Sequence, residues 1–161
     1  MTISPLLGLG SAHLSDETFV EQFERCVYPI GAFRHADHIR LGWFYHRAYD
    51  HAEAERRMAQ SIRRFASSAG AAGKFHATIT IGWMKLIQSA VVSGPPAASF
   101  AEFLDANPWL LEKALLSMHY SAALLASAEA RSAWIEPDLM PLPDERHQAI
   151  PHRVPIVRVA R

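Results

Sequence analysis

Cysteine is nearly missing from this chain of 161 residues, with Cys26 the single example. One thiol closes no internal disulfide, so the fold must rest on a buried core, and a chain this long can build one as a single domain. Also missing is a basic run ahead of the short apolar segment Pro5-Leu6-Leu7-Gly8-Leu9, so the N-terminus does not read as a signal peptide. Both absences predict a protein of the reducing cytoplasm. There is no excess of charge of either sign, because 16 basic residues face 16 acidic ones. No long-range field then draws the chain to nucleic acid or anionic lipid. Uninterrupted apolar runs are short as well. The best window, Phe75 to Val92, is broken by Lys85 and Gln88, which excludes a membrane span of roughly 20 apolar residues. The expectation is a soluble protein with neither a nucleic-acid nor a membrane partner.

Several signatures of chemistry are absent too. The chain has no Gly-rich phosphate loop, no Gly-x-Ser-x-Gly elbow, no paired-cysteine zinc motif and no Glu-x-x-His pair. Cys26 lies in an apolar helical context and reads as core packing rather than as a nucleophile. No internal repeat and no second domain are visible.

What the chain does have is histidine, nine in all, and its spacing carries information. Phe33-Arg34-His35-Ala36-Asp37-His38-Ile39-Arg40 opens a helical stretch to about Tyr49, where His35 and His38 lie one turn apart with Cβ atoms about 5 to 6 Å from each other. A wheel gathers His35, His38, Ile39, Gly42, Tyr45, His46 and Tyr49 on an inward arc and leaves Asp37, Arg40 and Arg47 on the opposite side. Phe75-His76-Ala77-Thr78-Ile79-Thr80 begins a second strongly helical stretch, with His76, Thr80, Trp83 and Ile87 on one face. Imidazoles on two helices can meet at one ion from different directions, so His35, His38 and His76 are the expected ligands of a mononuclear metal centre. Neutral nitrogen donors suit copper, iron or zinc. His46 is excluded as a fourth ligand, since eight residues of rise put it about 12 Å from His38, but it can line a pocket.

The remaining elements are read from caps and breakers. Ser15-Asp16-Glu17 starts a first helix to about Tyr28, Asp50 caps a third to about Ser68, and Gly94-Pro95-Pro96 ends the fourth. Ser99 with Glu102 opens a short fifth helix, Asn107-Pro108 a sixth over Trp109 to His119, and Ser127 a seventh to about Ile135. Prolines 137, 141, 143, 151 and 155 turn the end into an extended arm that wraps the body or a partner, with Val154 to Val159 able to form one edge strand. The fold class expected is all-α: a helical bundle over residues 1–143 and an arm over residues 144–161. Arg56, Arg57, Arg63 and Arg64 form a cluster on the third helix, but Glu53 precedes Arg57 by four residues, and a solvated face is the expectation.

These landmarks, with His119-Tyr120-Ser121 and Ala130-Arg131-Ser132-Ala133-Trp134-Ile135-Glu136-Pro137-Asp138-Leu139, resemble those of a widespread family of small helical bacterial proteins. The resemblance covers roughly residues 20 to 143 and implies a shared helical fold and a matched set of His35, His38 and His76. It brings no common activity. Where that family often has glutamate after its third histidine, this chain has Ala77, so a carboxylate base is lacking there.

The expectation is a small metal-dependent enzyme that oxidises a small organic molecule with oxygen, using copper or iron. Phe33, Gly42, Tyr45, His46 and Trp83 are the expected substrate pocket, with Tyr120 and Thr80 as hydroxyl groups for the chemistry. Two alternatives stay open: hydrolysis or lyase chemistry by zinc-bound hydroxide, or a non-enzymatic helical protein that binds a small molecule or a metal. The arm makes a homodimer plausible.

Overall fold

The computed structural model describes residues 9–143, and the Val154 to Val159 strand expectation lies outside them. Among the described residues every regular element is helical: α1 (Asp16–Glu24), α2 (His35–Ala48), α3 (His51–Ser68), α4 (Ala77–Ser93), α5 (Phe100–Ala106), α6 (Ala122–Leu125) and α7 (Ala128–Ser132). Four short 3-10 turns lie between them, at Ile30–Ala32, Ala72–Lys74, Pro108–Leu111 and Leu115–Met118.

The caps act where hydroxyl and carboxylate chemistry allows. Ser15, Asp50 and Ser99 accept from the backbone N–H groups of Thr18, Glu53 and Glu102 and start α1, α3 and α5. Helices α2, α3 and α4 pack pairwise, α1 closes over α2 and α3, and α7 lies on α4. Two apolar cores result. One joins Phe19, Phe23, Leu41, Tyr45, Met58 and Phe65 between α1, α2 and α3. The other joins Ile39, Trp43, Ile87, Phe103, Leu110 and Leu116 between α2, α4, α5 and the 3-10 turns. Ile39 and Trp43 face one core while Leu41 and Tyr45 face the other, so α2 is buried on two sides and is the central helix.

That position explains one correction. Asp37 and Arg40 were expected outside, opposite the histidines, but both are buried, at 0% and 6% exposure. Asp37 accepts from the backbone N–H groups of Gly10 (3.1 Å), Ser11 (2.9 Å) and Arg34 (2.7 Å), and from the Ser11 hydroxyl. Arg40 donates to Asp16 (2.7 Å), to the backbone carbonyls of Ser11 and Leu14, and to the Ser11 hydroxyl. Each side chain is surrounded by complementary hydrogen-bonding groups, which offset the loss of hydration on burial. Together they clasp residues 10–16 onto the bundle.

A second correction concerns residues 109–119. These form the two 3-10 turns rather than one helix, interrupted at Glu112, whose backbone is extended at φ −75° and ψ 103°, with Leu110 and Leu116 as the buried anchors of the two turns. Cys26, too, lies beyond the end of α1 and not within it, in the left-handed region at φ 57°, with its partly buried side chain packed on the α1–α3 core.

Candidate functional site

Helices α2 and α4 meet at Gly42, where an added Cβ would lie 2.6 Å from Ile87 Cδ1 and 3.1 Å from Met84 Sδ. The missing side chain therefore lets the helices approach and does not open room for a ligand. Near the start of α2, His35 packs edge-on against Trp83 with ring centroids 4.7 Å apart, and its Nε2–H donates to the Leu110 carbonyl at 2.9 Å. His38 turns toward the other core, its ring 4.2 Å from that of Phe33, and its Nδ1–H donates to the Arg34 carbonyl at 3.3 Å. In each case the partner is a carbonyl, which only accepts, so the bonded nitrogen carries the proton.

Burial disfavours the charged imidazolium and lowers the pKa of both residues, to about 4 for His38. Hydrogen bonds to the carbonyls work against that shift without cancelling it. At neutral pH both rings are uncharged, leaving a lone pair on His35 Nδ1 and on His38 Nε2.

His76 occupies a different role. It is the N-cap of α4, where Nδ1 accepts from the Ile79 N–H at 3.2 Å while Nε2–H donates to the Leu125 carbonyl at 2.8 Å. Both ring nitrogens are thus engaged. Trp83, which His35 touches, lies seven residues beyond the cap, about 10 Å farther along α4. Among the described residues no group of three or more His, Cys, Asp or Glu side chains is placed to hold a metal ion. A shared ion would need other side-chain placements for these histidines, with His76 released from its cap.

The other expected site residues are distributed over several contacts. Phe33 stacks on Phe23 and also meets Phe65. Tyr45 is fully buried and its hydroxyl bonds to Glu24 (2.8 Å) and Ser61 (2.9 Å), while His46 Nε2–H donates to the Met84 carbonyl at 2.8 Å. Thr80 donates to the His76 carbonyl at 2.8 Å and Tyr120 to the Ile135 carbonyl at 2.9 Å. Burial raises the Tyr120 pKa above its ordinary value, so that hydroxyl keeps its proton. Phe33 and Trp83 are brought beside His38 and His35 respectively, whereas Gly42, Tyr45, Thr80 and Tyr120 serve helix packing and fastening.

A second polar group was not anticipated. The His46 ring stacks on that of His51, with centroids 5.5 Å apart and planes 18° apart, and His51 Nε2 lies 3.2 Å from Glu55 Oε1. Lys85 Nζ reaches the same oxygen at 3.2 Å and sits 5.2 Å from the centre of the Trp134 ring. Burial pushes the Glu55 carboxyl up, but His51 and Lys85 outweigh it and hold the carboxyl below its usual range. The spacing of His51 and Glu55, four residues apart on α3, was the available signal; the lone Lys85 in an apolar helix was the other.

The third motif is also a fastening. Thr78 donates to the Ala133 carbonyl at 2.7 Å and accepts from the Ile135 N–H at 3.1 Å. Asp138 accepts from the Ser121 N–H and hydroxyl, and the His119 carbonyl accepts from the backbone of Leu139 and Met140. Residues 138–140, at the end of the expected bundle, are by these bonds held to the body, and the arm expected over residues 144–161 lies outside the described residues. No protein-family model, no curated protein and no solved structure matches this chain.

Proposed function

We propose that this is a helical small-molecule-binding protein whose ligand is taken by the neutral imidazoles of His35 and His38, beside the aromatic rings of Trp83 and Phe33. The observation that carries the reading is the protonation pattern. Each ring has one N–H committed to a backbone carbonyl and burial holding it uncharged, which leaves one acceptor lone pair per ring one helical turn apart. Each lone pair suits a ligand carrying a hydroxyl or amine donor, His35 on the Trp83 side of α2 and His38 on the Phe33 side.

A second reading draws on the same bonds. An imidazole that gives one N–H to a carbonyl is oriented and made more basic toward a metal at its other nitrogen. Bound there, copper or iron would supply oxidation of a small molecule with oxygen, and zinc a hydroxide for hydrolysis. His76 would join only after giving up its bonds to Ile79 and Leu125.

Elemental analysis of purified protein, with titration of phenol followed by NMR, tests both. Phenol-dependent shifts at His35 and His38 in metal-free protein, lost in His35→Ala and His38→Ala, support the first reading. Stoichiometric copper, iron or zinc lost in the same variants replaces it with the second. Neither metal nor phenol response removes both.

A further inference from the structure

We propose that His51 and Glu55, one turn apart at the start of α3, chelate a divalent transition-metal ion at a place that the Lys85 ammonium otherwise holds. His51 Nε2 and Glu55 Oε1 stand 3.2 Å apart. Imidazole and carboxylate donors lie about 2.0 to 2.2 Å from zinc, so two atoms at that separation subtend about 100° at one ion, close to a tetrahedral angle. Both side chains belong to one helix and sit four residues apart, which sets their separation before any ion arrives.

The polar atoms of this group are poorly matched by the protein itself. Glu55 Oε1 is buried, and although His51 Nε2 and Lys85 Nζ each lie 3.2 Å from it, it forms no hydrogen bond among the described residues. His51 Nδ1 is likewise buried without a hydrogen-bond partner there. The neighbouring His46 ring, by contrast, has its Nε2–H committed to the Met84 carbonyl. A buried acceptor without a hydrogen bond is costly, and an ion bound directly to Glu55 Oε1 removes that cost.

His51, Glu55 and Lys85 are each partly exposed, so an ion can enter from solvent. Two protein donors are fewer than a structural zinc site uses, and water fills the remaining positions. Lys85 is the built-in competitor. Its flexible stem comes from α4, and the Trp134 ring, 5.2 Å from Nζ, gives the ammonium another contact when an ion takes Glu55. His46 lies about two turns of α2 beyond His38, so this group is separate from the pair of imidazoles considered above.

The test is zinc titration of the full chain, followed by NMR of the histidine rings and by calorimetry, for the wild type, Glu55→Gln and Lys85→Gln. The expected result is a saturable shift of the His51 ring signals that is lost in Glu55→Gln. In Lys85→Gln the same shift should need about tenfold less zinc, because a like charge is gone from beside the ion. Shifts confined to other histidines, including His35 and His38, overturn the proposal. So does a His51 response that persists in Glu55→Gln, or an affinity in Lys85→Gln no tighter than that of the wild type.

Discussion

At the residue scale, five of the described histidines work first as hydrogen-bond donors to the backbone. His35, His38, His46, His76 and His119 each meet a main-chain carbonyl, in every case but His38 one distant in the chain. His76 is the most loaded, since it caps α4 and ties that cap to Leu125. His76→Ala removes both bonds and is expected to cost about 2 kcal/mol by urea unfolding at pH 7. His76→Asn keeps a capping oxygen without reaching Leu125, and it should recover about half of that loss. Equal losses in the two variants would show that the cap contributes nothing. Comparing the two also separates His76 as a cap from His76 as a metal ligand, because neither variant would retain a metal.

At the element scale, α2 is fixed by charge as much as by apolar packing. Asp37→Asn places an NH₂ against donors that now face carboxylate oxygens, Gly10 and Arg34 on one oxygen or Ser11 on the other. Leaving such buried donors unmatched is expected to cost about 3 kcal/mol and to speed amide exchange at residues 10–14. Unchanged exchange there would mean that the clasp is not formed by Asp37. Thr78→Val, nearly the same in shape, strands the Ala133 carbonyl and the Ile135 N–H. Faster exchange of the Ile135 amide is the expected outcome, with a loss of about 1 to 3 kcal/mol.

These two positions also mark how far the chain could be read. The starts of α1, α3 and α5 were legible because Ser15, Asp50 and Ser99 are capping residues whose bonds are local. Asp37 was misplaced because a helical wheel sees only one helix, and its partners, Gly10 and Ser11, lie more than 25 residues away. His76 was visible as a residue of consequence, but a cap and a ligand look alike without Leu125 in view. The pairing of His51 with Glu55 was not read, although their spacing of four on α3 carried it, while Lys85 joins them only through the packing of α3 on α4.

At the scale of the whole molecule, stability depends on keeping partly buried imidazoles uncharged. Burial lowers the pKa of His38 and of His46 to about 4, and it lowers that of His35 as well, while an unfolded chain titrates near its ordinary value of 6.5. Between those values the unfolded state binds protons that the folded state refuses, so stability is complete above about pH 6.5 and declines as the pH falls toward 4. Each such histidine adds a slope of up to about 1.4 kcal/mol per pH unit in that window. Urea midpoints measured from pH 7.5 to 4.5 should fall steadily, and His46→Gln should flatten the decline. A flat profile in the wild type would show that these rings are hydrated.

The carbonyl contacts also assign each ring a tautomer. His35, His46 and His76 carry their hydrogen on Nε2, whereas His38 and His119 carry it on Nδ1. Long-range nitrogen-proton spectra distinguish these two forms by chemical shift, so the five imidazoles make a fingerprint of the native arrangement. Any molecule that captures one ring nitrogen would shift that ring's signal and leave the rest as internal controls.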